Sequence, residues 1–155
     1  MQVTRLEYPP VIAVMDVMRI TGIWPDNMGL AAFESTLMNG VTFELTNGDQ
    51  LIGFFLLHSV VPGIQIQEDL MILPAAKGRW ATRGNIQQIR SAATRTAFEE
   101  MGLERIVGYV DEDNRASRRL TEHMGMKCEG RLRHFNRVKG AWRNMMAYSL
   151  LRDEA

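Results

Sequence analysis

Three short runs of this chain carry side chains that could do chemistry. The first is Asp113-Asn114-Arg115-Ala116-Ser117, which follows the apolar run 105–110 and opens a segment closed by Gly125. Asn114 and Ser117 therefore sit where the carboxyl end of a strand meets the amino end of a helix, a place that suits phosphate or carbonyl oxygen. The second run is Pro74–Arg83, with Lys77, Gly78, Arg79, Trp80, Ala81 and Thr82 between a strand and a helix start. Unpaired N–H groups, the helix dipole and two cations make it a candidate anion site. The third is Gln67-Glu68-Asp69, late in the alternating segment 64–73. Glu68 shares a face with Ile66 and Leu70, whereas Asp69 lies on the other face. A carboxylate on an apolar face has its pKa raised toward that of a useful base. Glu68 is the preferred base and Asp69 the alternative.

The elements that must position these residues follow from periodicity. Helical spacing of Val11, Ile12, Val14, Met15 and Met18 predicts a helix over 9–21, stopped at Gly22. A second short helix is expected over 29–38. Strands 41–46 and 51–60 flank Asn47-Gly48-Asp49, a hairpin signal. Pro62-Gly63 turns the chain into strand 64–73. A longer helix is predicted over 84–101, with Ile86, Ile89, Ala93, Ala97 and Met101 inward and Gly102 as its stop. Strand 105–111, helix 114–124 and a hairpin of 126–137 and 141–151 complete the order, with a further strand at 2–7. The fold class is α/β (α+β): one domain over 1–155, a mixed central sheet of about six to seven strands flanked by about four helices.

The chain has 155 residues, enough for one domain with a sizeable core. No apolar run reaches the roughly 18 residues that would span a bilayer, and no secretory leader is visible. The single Cys128 excludes an internal disulfide, and a reducing cytoplasmic setting is expected. Eighteen basic residues balance eighteen acidic ones, but unevenly. Residues 1–76 hold 2 basic and 8 acidic side chains, and residues 77–143 hold 15 and 8. A cationic substrate suits the first part and a polyphosphate the second. Zero net charge and few interleaved aromatics disfavour a nucleic-acid partner.

The helix opened by Asn114, with Ser117 three residues on and Gly125 beyond it, resembles the GNAT superfamily of N-acetyltransferases. Gly125-Met126 stands where that family often has Gly-Phe. The element order resembles the GNAT fold over most of the chain. Ser117 and Glu129-Gly130-Arg131-Leu132-Arg133 resemble the branch that acetylates ribosomal-protein amino termini, and the Gly-Arg-Trp loop resembles phage-encoded GNAT-like proteins.

The resemblance implies an N-acetyltransferase. It would move an acetyl group from acetyl-CoA to a primary amine by direct attack in a ternary complex. The acceptor would be a protein N-terminus, a lysine or a small-molecule amine. Lys77, Gly78, Arg79, Trp80, Ala81 and Thr82 would cradle the pyrophosphate, although Trp80 and Thr82 replace the family's small residues. Asn114 and Ser117 would contact the pantetheine, acetyl group or sulfur, and a strand N–H at Met71 or Ile72 the thioester oxygen. Glu68 and Ser117 are the expected catalytic residues. The Tyr that many members place seven residues after the Asn is Thr121 here. The rival reading keeps the fold without catalysis, as a binding or assembly protein of phage type.

No metal is expected, because His58, His123 and His134 share no metal-ligand spacing. Cys128 is expected buried and inert, and Arg115, Arg118 and Arg119 a solvated helix face. Residues 9–38 would shape the acceptor side, with Asp16, Asp26 and Glu34 attracting a cation. No membrane partner is expected, and the exposed final hairpin offers an edge for a homodimer.

Overall fold

A computed structural model describes residues 1–22, 24–76 and 80–155. Its elements run β1 (Gln2–Arg5), α1 (Val11–Thr21), α2 (Leu30–Met38), β2 (Val41–Asn47), β3 (Gln50–Val61), β4 (Gln65–Ile72), α3 (Arg83–Thr94), β5 (Arg105–Asp111), α4 (Arg115–His123), β6 (Lys127–Val138) and β7 (Ala141–Leu151). This is the order that periodicity predicts. The helix expected over 84–101 changes character on the way: α3 ends at Thr94, and a π-helical stretch, Arg95–Glu100, continues it. Gly102, at φ 66°, then turns the chain into β5.

The strands form one seven-stranded sheet in the order β1-β2-β3-β4-β5-β7-β6. Every neighbouring pair is antiparallel except β4 and β5, which are parallel. A parallel pair needs a crossover, and α3 supplies it. The central strand β3 reads Gly53-Phe54-Phe55-Leu56-Leu57 because both of its faces are covered. Phe55, Leu57, Ile66, Ile106 and Tyr148 pack with Ile89, Ala93 and Phe98 of the α3 region. Phe54, Leu56 and Met71 pack on the other face with Val14 and Met18 of α1 and with Phe33 and Leu37 of α2. No described helix is long and apolar enough to cross a membrane.

Several side chains do not stand where periodicity and composition alone put them. Cys128 is exposed, because strand order puts β6 at the edge of the sheet. Ile12, Ile64 and Met101 are exposed as well, each at or near the end of its element. Asp26 is not free to attract a cation. Its two carboxylate oxygens accept the N–H groups of Lys139 and Gly140, each at 2.8 Å. Its own N–H donates to the carbonyl of Arg137 at 2.8 Å, so the α1–α2 connection is tied to the tip of the last hairpin. Asp16 and Glu34 remain exposed on α1 and α2.

The feature that positions the site is a divergence. β4 and β5 are paired from Gln65↔Arg105 to Glu68↔Gly108 and no further, although β4 continues to Ile72 and β5 to Asp111. Each strand end is held by its other neighbour. Gly53 pairs with Ile72, and Leu73 N–H donates to the carbonyl of Ile52 at 2.9 Å, which keeps β4 on β3. Asp111 pairs with Met145, and Arg143 Nε donates to the Asp111 carboxylate at 2.6 Å, which keeps β5 on β7. Glu112 adds bonds from Arg131 and from Asn144. The bonds from Arg131, and then that from Asn144, hold the Glu112 carboxyl at about 2, well below its ordinary range.

Candidate active site

The gap between the diverging strands has main-chain groups aimed into it. In an antiparallel pair, the N–H and C=O of one residue point to the same neighbour, and successive residues alternate. Leu73 donates to β3, so Met71 and Asp69 face β3 as well, and the register runs unbroken from Gly53 to His58. Leu70 and Ile72 therefore turn their N–H groups toward the gap. Between the two residues proposed from sequence to hold a thioester oxygen, Ile72 has the right direction and Met71 does not. Met71 is packed against α1 and α2 instead. Leu70 is a gap-facing donor that the sequence reading missed.

Glu68 and Asp69 lie on opposite faces of β4, as period-2 alternation requires. Glu68 points to the α3 side and is 6 % exposed. Its Oε1 leans over Gly108, where a Cβ would come within 2.6 Å, and the same Cβ would come within 3.4 Å of the Met126 methyl. Its Oε2 is buried without a hydrogen-bond partner. Burial, with a smaller contribution from Asp69, pushes the Glu68 carboxyl up to about 8. It is therefore predominantly protonated at neutral pH.

Asp69 points to the α1–α2 side and accepts from His58 Nε2 at 2.7 Å. His58 is buried, and its Nδ1 lies 2.9 Å from the hydroxyl of Ser59. With Asp69 ionised, Nε2 carries the hydrogen and Nδ1 accepts from Ser59. Ser59 stands at φ 52°, and the register with β4 shifts between His58 and Val61. That bulge breaks the regular course of β3 directly beside His58. In sequence, His58 shares no metal-ligand spacing with His123 or His134. The Asp69 contact spans 11 residues and a bulged hairpin, so local pattern carried no signal for it.

Beyond the end of β5, the Asn114 side chain accepts from Ser117 N–H at 3.1 Å and caps α4. Ser117 is half-buried, and Thr121, one turn on, is buried on the same side of the helix. Arg118 is not a free cation. It donates from Nε to Tyr148 Oη at 3.3 Å and from Nη1 to the Glu112 carbonyl at 3.3 Å. Tyr148 in turn donates to Glu122 at 3.2 Å, and burial raises its pKa.

Lys77, Gly78 and Arg79 lie outside the described residues. Trp80 is buried in the α3-side core, in one cluster with Ala76 and Ile89, so its ring does not stand in the gap. Its carbonyl accepts from the Asn85 side chain. Thr82 caps α3 by accepting from Asn85 N–H at 3.3 Å, and Ala81 and Thr82 are exposed. Among the described residues, no group of His, Cys, Asp or Glu is placed to hold a metal.

The parallel pair parts after four residue pairs, and a helix follows each strand end. The family model described as acetyltransferase (GNAT) domain matches residues 5–127. The chain belongs to the GNAT family and is an N-acetyltransferase by class, and enzymes of this family use acetyl-CoA. Among solved structures, it is similar to spermidine N-acetyltransferase from Vibrio cholerae in complex with CoA and spermine. That match has 16 % identity and a TM-score of 0.74, and covers 99 % of this chain and 97 % of that one. It is also similar to ribosomal-protein-S5-alanine acetyltransferase from Vibrio fischeri, with 14 % identity, a TM-score of 0.75, and coverage of 99 % and 93 %. A chimera of the Vibrio cholerae spermidine enzyme gives 16 % identity, a TM-score of 0.76, and coverage of 99 % and 98 %. No curated protein matches the chain.

Proposed function

We propose that this protein transfers the acetyl group of acetyl-CoA to a primary amine by direct attack, with the thioester lying in the gap between β4 and β5. The observation that carries the reading is the parting of these strands after Glu68 and Gly108, with the N–H groups of Leu70 and Ile72 turned inward. A donor already fixed in a sheet stabilises a developing oxyanion without reorganising. The exposed residues Ala81 and Thr82 at the start of α3, together with Lys77, Gly78 and Arg79, form the pyrophosphate cradle. Trp80 supports that cradle from the core side. Asn114 and Ser117 lie at the far wall, where Ser117 serves the sulfur in place of the absent Tyr. The acceptor is an amine on a protein N-terminus, a lysine or a small molecule. The Glu129–Arg133 strand, which resembles the branch that acetylates ribosomal-protein amino termini, favours a protein N-terminus.

Acetyl-CoA at 100 times its dissociation constant is expected to stabilise the protein by about 2.7 kcal/mol, which raises the melting temperature by roughly 5–10 °C. A thermal scan with millimolar acetyl-CoA checks this, and no shift would favour a fold kept without catalysis. Ser117→Ala is expected to lower turnover more than acetyl-CoA affinity. Steady-state kinetics beside calorimetric titration would show it, and unchanged turnover would remove Ser117 from the mechanism.

A further inference from the structure

On the α3 side, the start of the gap is filled by Glu68 and Met126, which both lie over Gly108, with Val110 and Met124 in the same core. An acceptor therefore approaches from the side of α1 and α2. Those helices pack on Phe54, Leu56 and Met71 of β3 and β4. Asp69 of β4 and Tyr109 of β5 stand on the same face, one residue beyond the last pair, Glu68↔Gly108. They form the two rims of the gap on the acceptor side. Tyr109 is half-buried, and its row continues across the sheet as Ala147 of β7 and Gly130 of β6. Both are small, which leaves the Tyr109 ring open on that flank.

Phe135 is brought to it from the edge strand. β6 advances from Leu132 to Asn136 while β7 advances only from Met145 to Arg143. Within this bulge His134 takes φ 49°, and its N–H donates to Asn144 Oδ1 at 2.9 Å. A bulge re-aims the side chains beside it. Here the Phe135 ring is turned across β7, with its centroid 4.7 Å from that of Tyr109. Phe135 remains 44 % exposed. The stacked pair is an apolar wall at the acceptor-side mouth of the gap. Further along the same face, Asp111 is held by Arg143 at 2.6 Å, so a second ammonium on the acceptor would find that carboxylate taken.

We propose that Tyr109 and Phe135 select the acceptor, a peptide amino terminus whose first side chain is apolar. This rests on the acetyl-transfer reading above and adds the class of the first residue. With the α-nitrogen at the gap, the α-carbon carries two branches. The main-chain branch is polar and loses hydrogen bonds if it is laid on aromatic rings. The side-chain branch loses none there, and it takes the exposed part of Phe135 out of water. The ring faces also attract the ammonium itself. Both aromatic residues determine specificity through contact, and neither moves a proton.

Phenylalanyl-triglycine amide and tetraglycine amide differ only at the first residue. The unsubstituted protein is expected to favour the first by at least about 30-fold in kcat/KM, mainly through KM. Phe135→Ala is expected to cut that preference to about threefold or less, Phe135→Leu to keep most of it, and Tyr109→Phe to keep all of it, because the ring and not the hydroxyl makes the wall. Stabilisation of Phe135→Ala by acetyl-CoA shows that the variant is folded. Binding is also read without turnover: in the complex with CoA, the ring protons of the phenylalanyl peptide should show nuclear Overhauser effects to the Phe135 ring. Equal kcat/KM for the two peptides, a preference that survives Phe135→Ala, or contacts of the bound peptide that bypass Phe135 overturns the proposal. So does a higher kcat/KM for spermidine or for 2-phenylethylammonium than for the phenylalanyl peptide. Absence of acetyl-CoA binding in the unsubstituted protein is a different result: it defeats the acetyl-transfer reading itself, and this proposal with it.

Discussion

Replacing Glu68 by Gln is expected to flatten the pH dependence of stability, so that the variant gains about 3 kcal/mol on the parent protein between pH 5.5 and pH 8.5. The Glu68 carboxyl lies near 4.5 in the unfolded chain and at about 8 when folded. A raised carboxyl binds more protons in the folded state than in the unfolded state throughout that window. Stability therefore falls as pH rises from about 4.5 to about 8 and is level above it. The physical cause is the enclosed position over Gly108, where an ionised carboxylate has an orphaned oxygen. Gln has the same shape and no charge, so this contribution disappears. Urea denaturation of both proteins at the two pH values measures it. The parent-minus-variant difference matters, because other groups titrate equally in both. A difference independent of pH would show that Glu68 is not held protonated. If the variant is the more stable protein at pH 8.5 yet has lost turnover, the stored cost belongs to the site and not to the scaffold.

Gly53→Ala is expected to destabilise the protein by about 3 kcal/mol, near the upper end for overpacking. An added Cβ would stand 1.9 Å from the Met71 carbonyl oxygen and 3.0 Å from the Ile72 Cα. Both are backbone atoms of the paired strand, so relief requires β3 and β4 to move apart. The same movement shifts Ile72, whose N–H faces the gap, so acetyl-CoA affinity should fall as well. Gly84→Ala is the control. Nothing lies within 4 Å of its Cβ position, and Gly84 is in the first turn of α3, where Ala is the better helix former. Denaturation midpoints with and without acetyl-CoA separate the two effects. A Gly53→Ala protein as stable as its parent would mean that the two strands are not held as described.

Much of the framework was legible because secondary structure follows from neighbours along the chain. The spacing of Val14, Met15 and Met18 marks α1, and Pro9-Pro10 delays its start to Val11. Asn47-Gly48-Asp49 marks the β2–β3 hairpin. Alternation along Gln65–Ile72 separates Glu68 from Asp69 correctly, and the polar start of α4 identifies Asn114 as its cap. The failures come from residues whose surroundings are distant in sequence. Cys128 sits in a strand, but whether a strand is buried depends on its place in the sheet, and β6 has a neighbour on one side only. Trp80 has a side chain large enough to obstruct a gap, but the core beside Ala76 takes it in. Asp26 reads as a free charge until the hairpin tip, more than a hundred residues on, turns its N–H groups toward it.

The segment from Asp113 to Gly130 and the alternation of β4 were determined by the sequence alone, because side-chain periodicity and caps are short-range. So was the absence of a Tyr at position 121. The tertiary structure decided the rest. The gap exists because β3 and β7 hold the ends of β4 and β5 more firmly than the two hold each other. His58 reaches Asp69 only because a bulge at Ser59 resets the hairpin register. Both depend on competition among non-local strand pairings, and no window of residues contains that competition.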